Sequence, residues 1–210
     1  MPITLQEALK EMPLVAVLRG IEPDQALEVG EALFGAGFRI MEVTLNSPEP
    51  LKSIRALADV LGDKALVGAG TVLSTDAARD VVNAGGKLVV MPHTDTDVIK
   101  AAKKSGCYVL PGVMTPSEAF SALNAGADGL KLFPAEVMSP AALKAMRAVL
   151  PKETSVLAVG SITPENMGAY WKVGANGFGL GGALYSPGKS TDQVAKDAKR
   201  FVGALNALRN

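Results

Sequence analysis

A glycine recurs where each predicted helix ends, and this repetition constrains the fold more than any other feature. The glycines stand just before short apolar runs and are Gly37, Gly85, Gly106, Gly126 and Gly174. Glycine favours the position after a helix because it enters the left-handed region without steric cost. Each glycine therefore predicts a helix-to-strand joint. Gly62 and Pro151 are expected to supply the joints in the two long intervals.

The apolar runs after these joints predict eight strands. They are short and rich in β-branched residues, as parallel strands covered on both faces are. The predicted strands span residues 15–19, 38–45, 65–70, 87–92, 108–112, 129–134, 155–160 and 176–181. Helical segments separate them, and several open on a residue that can cap a helix.

Eight such units without a linker favour an α/β fold, a single (β/α)8 TIM barrel over residues 1–210. An amphipathic helix is expected before the first strand. An open doubly wound sheet is the alternative, although it would not ordinarily need eight evenly sized units.

Composition excludes several kinds of function. Lys and Arg together number 21, as do Asp and Glu, so no broad positive field favours nucleic acid or an anionic membrane. One His and one Cys exclude an internal disulfide, a Cys-rich zinc module and a multi-histidine metal cage. We expect neither a metal nor a cofactor. With no secretory signal pattern at the start and no long apolar span, the expected location is cytoplasmic.

Two charged residues lie inside runs that otherwise look buried. In a TIM barrel the active site lies at the carboxyl ends of the strands. Alternation along residues 129–134 directs Lys131 towards the barrel axis, where a buried amine is a candidate nucleophile for Schiff-base chemistry. Glu42 projects into the same lumen from the second strand, as a general acid/base would. An internal ion pair between them is the structural alternative.

Other candidates lie where strands end. Arg19 could clamp a carboxylate or phosphate, or form a surface salt bridge. Asn46 and Thr71 would donate or accept neutral hydrogen bonds, or act as turn residues. Pro92 rigidifies the end of the fourth strand, and Phe133 is expected to shield the buried lysine from water.

A phosphate site is predicted after the last two strands. Gly160 and Ser161 follow the seventh strand, Gly181 and Gly182 end the eighth, and residues 183–185 resemble a short helical turn. The loops after strands seven and eight are the recurrent phosphate site of this barrel. Glycines there let backbone N–H groups approach an anion closely. The literal G-x-G-x-x-G pattern at 177–182 comes too late in the chain for a dinucleotide fold.

A set of short motifs resembles a known family. The strings EVTLNSP, GAGTVL, MPH, LPG, KLFPAE, AVGSITPEN and GLGGALY occur in this order. Over residues 13–205 the chain resembles the 2-keto-3-deoxy-6-phospho-sugar-acid aldolases of the KDPG and KDPGal aldolase family, which are class I (β/α)8 enzymes. The resemblance implies cleavage of such an acid to pyruvate and D-glyceraldehyde 3-phosphate, and a homotrimer.

The same resemblance implies a role for particular residues. Lys131 would form the Schiff base with pyruvate and Glu42 would move protons. Arg19 and Thr71 would hold the region of the pyruvate carboxylate. The phosphate would bind at Gly160, Ser161, Gly181 and Gly182.

A few positions indicate which epimer of the substrate the protein prefers. Asn46 stands where phosphogluconate-type enzymes usually carry Arg, and LNSP together with LRG resembles the phosphogalactonate type. Thr44 and FPAE resemble the gluconate type, and Ser161 replaces a glycine common in both. We expect 2-dehydro-3-deoxy-6-phosphogalactonate as substrate, with the 6-phosphogluconate epimer as the alternative. A phosphosugar isomerase or a non-catalytic phosphosugar-binding barrel would leave the lumenal Lys131 unexplained.

Overall fold

The computed structural model describes residues 2–209, in which strands and helices alternate. The strands are β1 (Leu14–Leu18), β2 (Ile40–Thr44), β3 (Leu66–Gly70), β4 (Leu88–Val90), β5 (Tyr108–Leu110), β6 (Gly112–Val113), β7 (Leu130–Leu132), β8 (Val156–Val159) and β9 (Gly177–Leu180). Each of the eight predicted runs contains a strand, and only β1 begins before its predicted start.

One helix precedes the first strand, and the other helices alternate with the strands. The helices are α1 (Leu5–Glu11), α2 (Pro23–Gly35), α3 (Pro50–Leu61), α4 (Thr75–Asn83), α5 (Thr96–Lys104), α6 (Pro116–Asn124), α7 (Pro140–Arg147), α8 (Met167–Trp171) and α9 (Thr191–Arg209). Thr4 caps α1 and Thr115 caps α6, each in a capping box. Within the described part of the chain, no helix has the length and apolarity needed to span a bilayer.

The parallel strands close into a barrel. Their order is β5-β4-β3-β2-β1-β9-β8-β7-β6, and every recorded pairing is parallel. The two end strands, β5 and β6, are parts of one continuous segment that Pro111 interrupts, because proline has no N–H for the ladder. The carbonyl of Pro111 still accepts a hydrogen bond from the Lys131 N–H at 2.9 Å. The predicted (β/α)8 TIM barrel is therefore confirmed.

Two apolar clusters lie on the two faces of the sheet. The inner cluster fills the barrel with Leu5, Ala8, Val15, Ile40, Leu66, Leu88, Val90, Leu110 and Leu157. The outer cluster lies between the strands and helices α2 to α9. Because Leu5 and Ala8 belong to α1, the predicted N-terminal helix packs against the barrel interior.

The glycine joints adopt the backbone that the pattern predicts. The φ angles are 111° at Gly37, 87° at Gly85, 78° at Gly106, 101° at Gly126 and 103° at Gly174, all in the left-handed region. Gly62 ends α3 differently, with φ of −60° in the right-handed region. A Cβ at Gly62 would collide with the carbonyl of Ala58, so this glycine permits a close approach instead of a left-handed turn.

Candidate active site

Lys131 lies in the middle of β7 with its side chain on the inner face of the barrel. Its neighbours Leu130 and Leu132 belong to the outer cluster, as the alternation predicts. Lys131 is only 7% exposed. Its Nζ lies 4.9 Å from the centre of the Phe133 ring, a distance at which a cation interacts with an aromatic face. The aromatic wall expected beside the amine is therefore present.

Glu42 lies on β2 and is 1% exposed. Neither carboxylate oxygen has a hydrogen-bond partner within residues 2–209. Burial raises the pKa of Glu42 above its ordinary value of 4.5, while the positive charges of Lys131 and Arg19 partly oppose that rise. Space for the carboxylate comes from Gly70, where a Cβ would lie 2.5 Å from the Glu42 Oε1. A buried carboxyl of this kind is poised to hold or release a proton.

The amine and the carboxyl line one small cavity of about 10 Å³. Its other walls are mainly apolar and include Val15, Val17 and Leu157. Across residues 2–209, Lys131 forms no ion pair with Glu42 or any other acid, so the structural alternative of an internal salt bridge is not seen. A volume of roughly 10–15 Å³ accommodates one water, which is enough to relay a proton between two groups.

A larger cleft of about 420 Å³ opens above this cavity. The cleft is lined by Val17, Arg19, Lys131, Phe133, Val159, Gly160, Ser161, Ile162, Thr163, Gly181, Gly182 and Ala183. Seven of the predicted site residues therefore meet there. The charged side chains among them, Arg19 and Lys131, are both cationic, although the protein has no net charge. The cleft is suited to an anionic ligand.

The glycines at the end of β9 lie beside open space. A Cβ built on Gly181 or Gly182 would meet no protein atom within 4 Å, and neither residue has a left-handed φ. Packing and backbone conformation do not explain why they are glycines, whereas close approach of a ligand to the backbone does. The predicted helical turn over residues 183–185 is a single hydrogen-bonded turn in which Leu184 and Tyr185 both donate to the Gly181 carbonyl.

The loop after β8 is shaped by backbone conformation. Gly160 has φ of 120°, and the Glu136 carboxylate occupies the place where its side chain would lie, so glycine is required here by the protein itself. Ser161 has φ of 48°, which is uncommon for a residue other than glycine. Asn166 holds this loop by donating from Nδ2 to the Ser161 carbonyl at 2.8 Å. Such strain often marks a functional loop.

Besides Glu42, three predicted residues lie outside the main cleft. The Asn46 Oδ1 accepts a hydrogen bond from the Arg19 Nη1 at 3.0 Å, so Asn46 acts on the cleft through that arginine. Thr71 follows β3 in a left-handed conformation with φ of 58°, unusual for a β-branched residue. Pro92 lines a neighbouring pocket of about 150 Å³ together with His93, and Phe133 borders both pockets.

Ser47 is a positioning residue that sequence reasoning missed. Its Oγ accepts from the Gly20 N–H at 2.8 Å and lies 3.1 Å from the Thr44 Oγ1. These contacts join the loop after β1, which carries Arg19, to the loop after β2. The bond to Gly20 joins residues 27 positions apart, so no local pattern could reveal it. Its position beside Asn46 within the LNSP string is the one signal available.

Comparison with known proteins gives a consistent result. The family model described as KDPG and KHG aldolase matches residues 5–198. The 2-dehydro-3-deoxy-6-phosphogalactonate aldolase of Escherichia coli (strain K12) is 45% identical over 194 residues, covering 92% of this chain and 95% of the relative.

Solved structures agree with this match. A structure described as native KDPGal has a TM-score of 0.94 and 42% identity, covering 100% of this chain and 99% of that chain. A cube-shaped, highly porous protein cage, designed by fusing symmetric oligomeric domains, has a TM-score of 0.93 and 44% identity, covering 95% of this chain and 74% of the cage chain. Because the family model and a close relative both match along nearly the whole length, this chain belongs to the KDPG and KHG aldolase family.

Proposed function

We propose that the protein is a class I aldolase that reversibly cleaves 2-dehydro-3-deoxy-6-phosphogalactonate to pyruvate and D-glyceraldehyde 3-phosphate. The observation that carries this proposal is the pairing of two buried groups in one cavity. Lys131 has no ion-pair partner in the described residues, and Glu42 faces the same small cavity. The cationic cleft above them suits a phosphorylated acid.

The first step is formation of an iminium ion. The Lys131 amine attacks the C2 carbonyl of the substrate to give a carbinolamine. The Glu42 carboxyl donates a proton to the carbinolamine hydroxyl, which leaves as water, so that the protonated Schiff base and the Glu42 carboxylate remain. The Phe133 ring lies close to Nζ and stabilises positive charge at that nitrogen. The iminium is then an electron sink, which an aldol cleavage requires.

The second step breaks the carbon–carbon bond. Glu42 removes the proton of the C4 hydroxyl, the C3–C4 bond breaks, and its electron pair moves into the iminium to form an enamine. D-glyceraldehyde 3-phosphate leaves. The Glu42 carboxyl returns this proton to C3 of the enamine, and hydrolysis of the resulting iminium ion releases pyruvate and restores the free amine. Because burial raises the pKa of Glu42 above its ordinary value, the carboxyl holds a proton more readily than an exposed glutamate does and can both accept and return one.

The cleft divides into two ends in this proposal. Arg19 binds the carboxylate end of the substrate from the cleft, and Thr71, which lies outside the cleft lining, is proposed to assist it. Gly160, Ser161, Gly181 and Gly182 bind the phosphate through backbone N–H groups. The cleft volume of about 420 Å³ is that of an ordinary small-molecule pocket.

Trapping of the covalent intermediate tests the aldolase proposal. The protein is incubated with pyruvate and borohydride, and the adduct is located by mass spectrometry. We expect a pyruvate adduct on Lys131 and its loss in Lys131→Ala, with aldolase activity reduced to background. The exposed Lys144 of α7 serves as a matched control through Lys144→Ala. Full activity in Lys131→Ala, or an adduct elsewhere, would refute the proposal and favour an isomerase or a binding protein.

The choice of epimer has a separate test. Two of the matches above, the Escherichia coli aldolase and the structure described as native KDPGal, are named for the galactonate type. Asn46 contacts Arg19 at the cleft. We expect a higher kcat/KM for the galactonate than for the gluconate substrate, because discrimination resides in differential binding of the transition state. Asn46→Arg should shift that ratio towards the gluconate epimer. If the ratio of kcat/KM for the two epimers is the same in Asn46→Arg and in the unsubstituted protein, Asn46 is not the residue that distinguishes the configuration at C4.

We also propose a homotrimer that works in the cytoplasm. Large apolar side chains remain exposed after β6, in α6 and after β7, namely Met114, Phe120 and Val137, and exposed apolar groups of this kind suit a subunit interface. A substrate that carries a phosphate ester does not cross a bilayer freely, which supports a location where such esters are made. Sedimentation equilibrium tests the trimer: a monomer mass would contradict it.

A further inference from the structure

A half-buried cation, Lys189, packs against the turn that follows β9. The Lys189 Nζ donates to the carbonyls of Ala183 and Leu184, at 3.2 Å and 3.0 Å. Those carbonyls share peptide groups with the N–H groups of Leu184 and Tyr185. Both N–H groups donate to the Gly181 carbonyl, at 2.8 Å and 2.9 Å. The lysine is thus connected to Gly181 through two parallel hydrogen-bonded peptides.

The chain of peptides ends at a group that lines the cleft. The Gly181 carbonyl belongs to the same peptide as the Gly182 N–H. In residues 2–209 this N–H has no backbone or side-chain acceptor, and Gly182 lines the cleft. Hydrogen bonds in series polarise one another. A positive charge at the far end therefore makes the Gly182 N–H a stronger donor.

An acid on α9 holds this lysine in place. The Asp197 Oδ2 lies 2.9 Å from the Lys189 Nζ and accepts from the Gln193 Nε2 at 3.1 Å. The Asp197 side chain is 8% exposed and that of Lys189 19%. Burial works against ionisation of Asp197, yet hydrogen bonds from Lys189 and Gln193 keep its pKa below the ordinary value. The lysine is therefore fixed by the fold and is not among the residues that line the cleft.

We propose that Lys189 is a positioning residue for the substrate phosphate, acting through the turn from Gly181 to Tyr185. It orients and polarises the Gly182 N–H without touching the ligand. This inference rests on the proposed function, because it assigns the anion at Gly182 as the phosphate of that substrate. It adds a charged residue outside the cleft to a site otherwise made of backbone.

Lys189→Met tests the inference with two readouts. Binding of inorganic phosphate, measured by calorimetry, should weaken by about twofold to fivefold, because the Gly182 N–H keeps its hydrogen bond to the anion but loses the polarisation that Lys189 supplies. The KM for the phosphorylated substrate should rise by a similar factor. The rate of the pyruvate adduct with borohydride should stay unchanged, because pyruvate carries no phosphate. Lys189→Arg should restore phosphate binding at least in part.

Two further variants separate positioning from folding and net charge. Lys196→Met removes the same charge from an exposed position on α9 and should leave both readouts unchanged. The double variant Lys189→Met with Asp197→Leu removes the buried acid too, and should fold while still binding phosphate weakly. Unchanged phosphate binding in Lys189→Met, or an equal loss in Lys196→Met, would overturn the inference. Absence of a pyruvate adduct in the unsubstituted protein would overturn the proposed aldolase instead, and leave the phosphate result to decide on Lys189.

Discussion

At the scale of single residues, Glu42 couples stability to pH. Its carboxylate is buried without a hydrogen-bond partner in the described residues, which is unfavourable for the charged form. Its pKa in the folded protein is therefore raised above the ordinary 4.5, so the folded state holds the proton more tightly than the unfolded state does. The unfavourable contribution is fully present above the folded pKa and vanishes as the pH falls towards 4.5.

Glu42→Gln should therefore raise the stability of the protein while lowering its activity. The free energy of unfolding should rise by about 1 kcal/mol or more at pH 8, since a neutral amide replaces a buried charge. That gain should shrink as the pH falls towards 4.5. We expect kcat to fall by about 10² to 10⁴ through loss of the proton-transfer group. Urea unfolding at several pH values and steady-state kinetics measure both effects.

The control for this prediction is an exposed glutamate. Glu28 lies on the surface of α2, so Glu28→Gln should change neither kcat nor the pH dependence of stability. A Glu42→Gln protein whose stability follows that of the unsubstituted protein at every pH would contradict the argument from burial.

At the scale of elements, the site depends on two loops held together. The Ser47 Oγ bonds to the Gly20 N–H and the Thr44 hydroxyl, joining the ends of β1 and β2. Thr44 is fully buried, so its hydroxyl has no access to water as a replacement partner. Arg19 precedes Gly20, and its contact with Asn46 spans the same two loops. The position of Arg19 therefore depends on the contacts between these two loops.

Ser47→Ala tests this connection. Loss of the hydroxyl leaves a buried group unpaired, which should lower the free energy of unfolding by about 1–3 kcal/mol. We expect KM to rise more than kcat falls, because the role proposed for Arg19 is to bind substrate and not to take part in the bond changes. Urea unfolding and kinetics provide the measurements. Ser117→Ala, at an exposed position of α6, should change neither quantity, and an unaltered KM in Ser47→Ala would argue against the loop connection.

The elements themselves were predicted more accurately than their contacts. The helix-to-strand joints at Gly37 and Gly174 follow from a backbone preference that acts locally, and the structure confirms both. The division of the fifth strand at Pro111 also has a local cause. The space that Gly70 gives to Glu42 is different, because it depends on how two neighbouring strands are placed side by side.

At the scale of the whole molecule, the two ends of the barrel have different tasks. Helix α1 packs Leu5 and Ala8 against the inner cluster, whereas the cleft lies where the strands end. The core residues of α1 are therefore distinct from the residues that line the cleft and the cavity of Lys131 and Glu42. Charge is also distributed unevenly. The protein has no net charge, yet the charged side chains that line the cleft are both cationic.

Leu5→Ala should affect stability alone. Leu5 is 1% exposed, and truncation of a buried leucine lowers the free energy of unfolding by about 2–5 kcal/mol. The kcat per folded molecule should stay within about twofold, because Leu5 does not line the cavity that holds Lys131 and Glu42. Chemical denaturation and active-site titration by the pyruvate adduct measure the two quantities. Leu9→Ala, at a half-buried position of α1, should cost less stability, and a large fall in kcat for Leu5→Ala would contradict the division of tasks.

The amino-acid sequence by itself determined the order of the strands and helices and the face of the sheet on which Lys131 lies. Both depend on short-range rules, the glycine joint and the alternation of a strand, that hold wherever the chain is placed. Only the tertiary structure decided that Lys131 and Glu42 share a cavity without forming an ion pair. It also decided that Ser47 contacts the loop after β1 and that Lys189 contacts the turn after β9. Most of these contacts join residues that are distant in the chain, and they exist only once closure of the barrel fixes the positions of its strands.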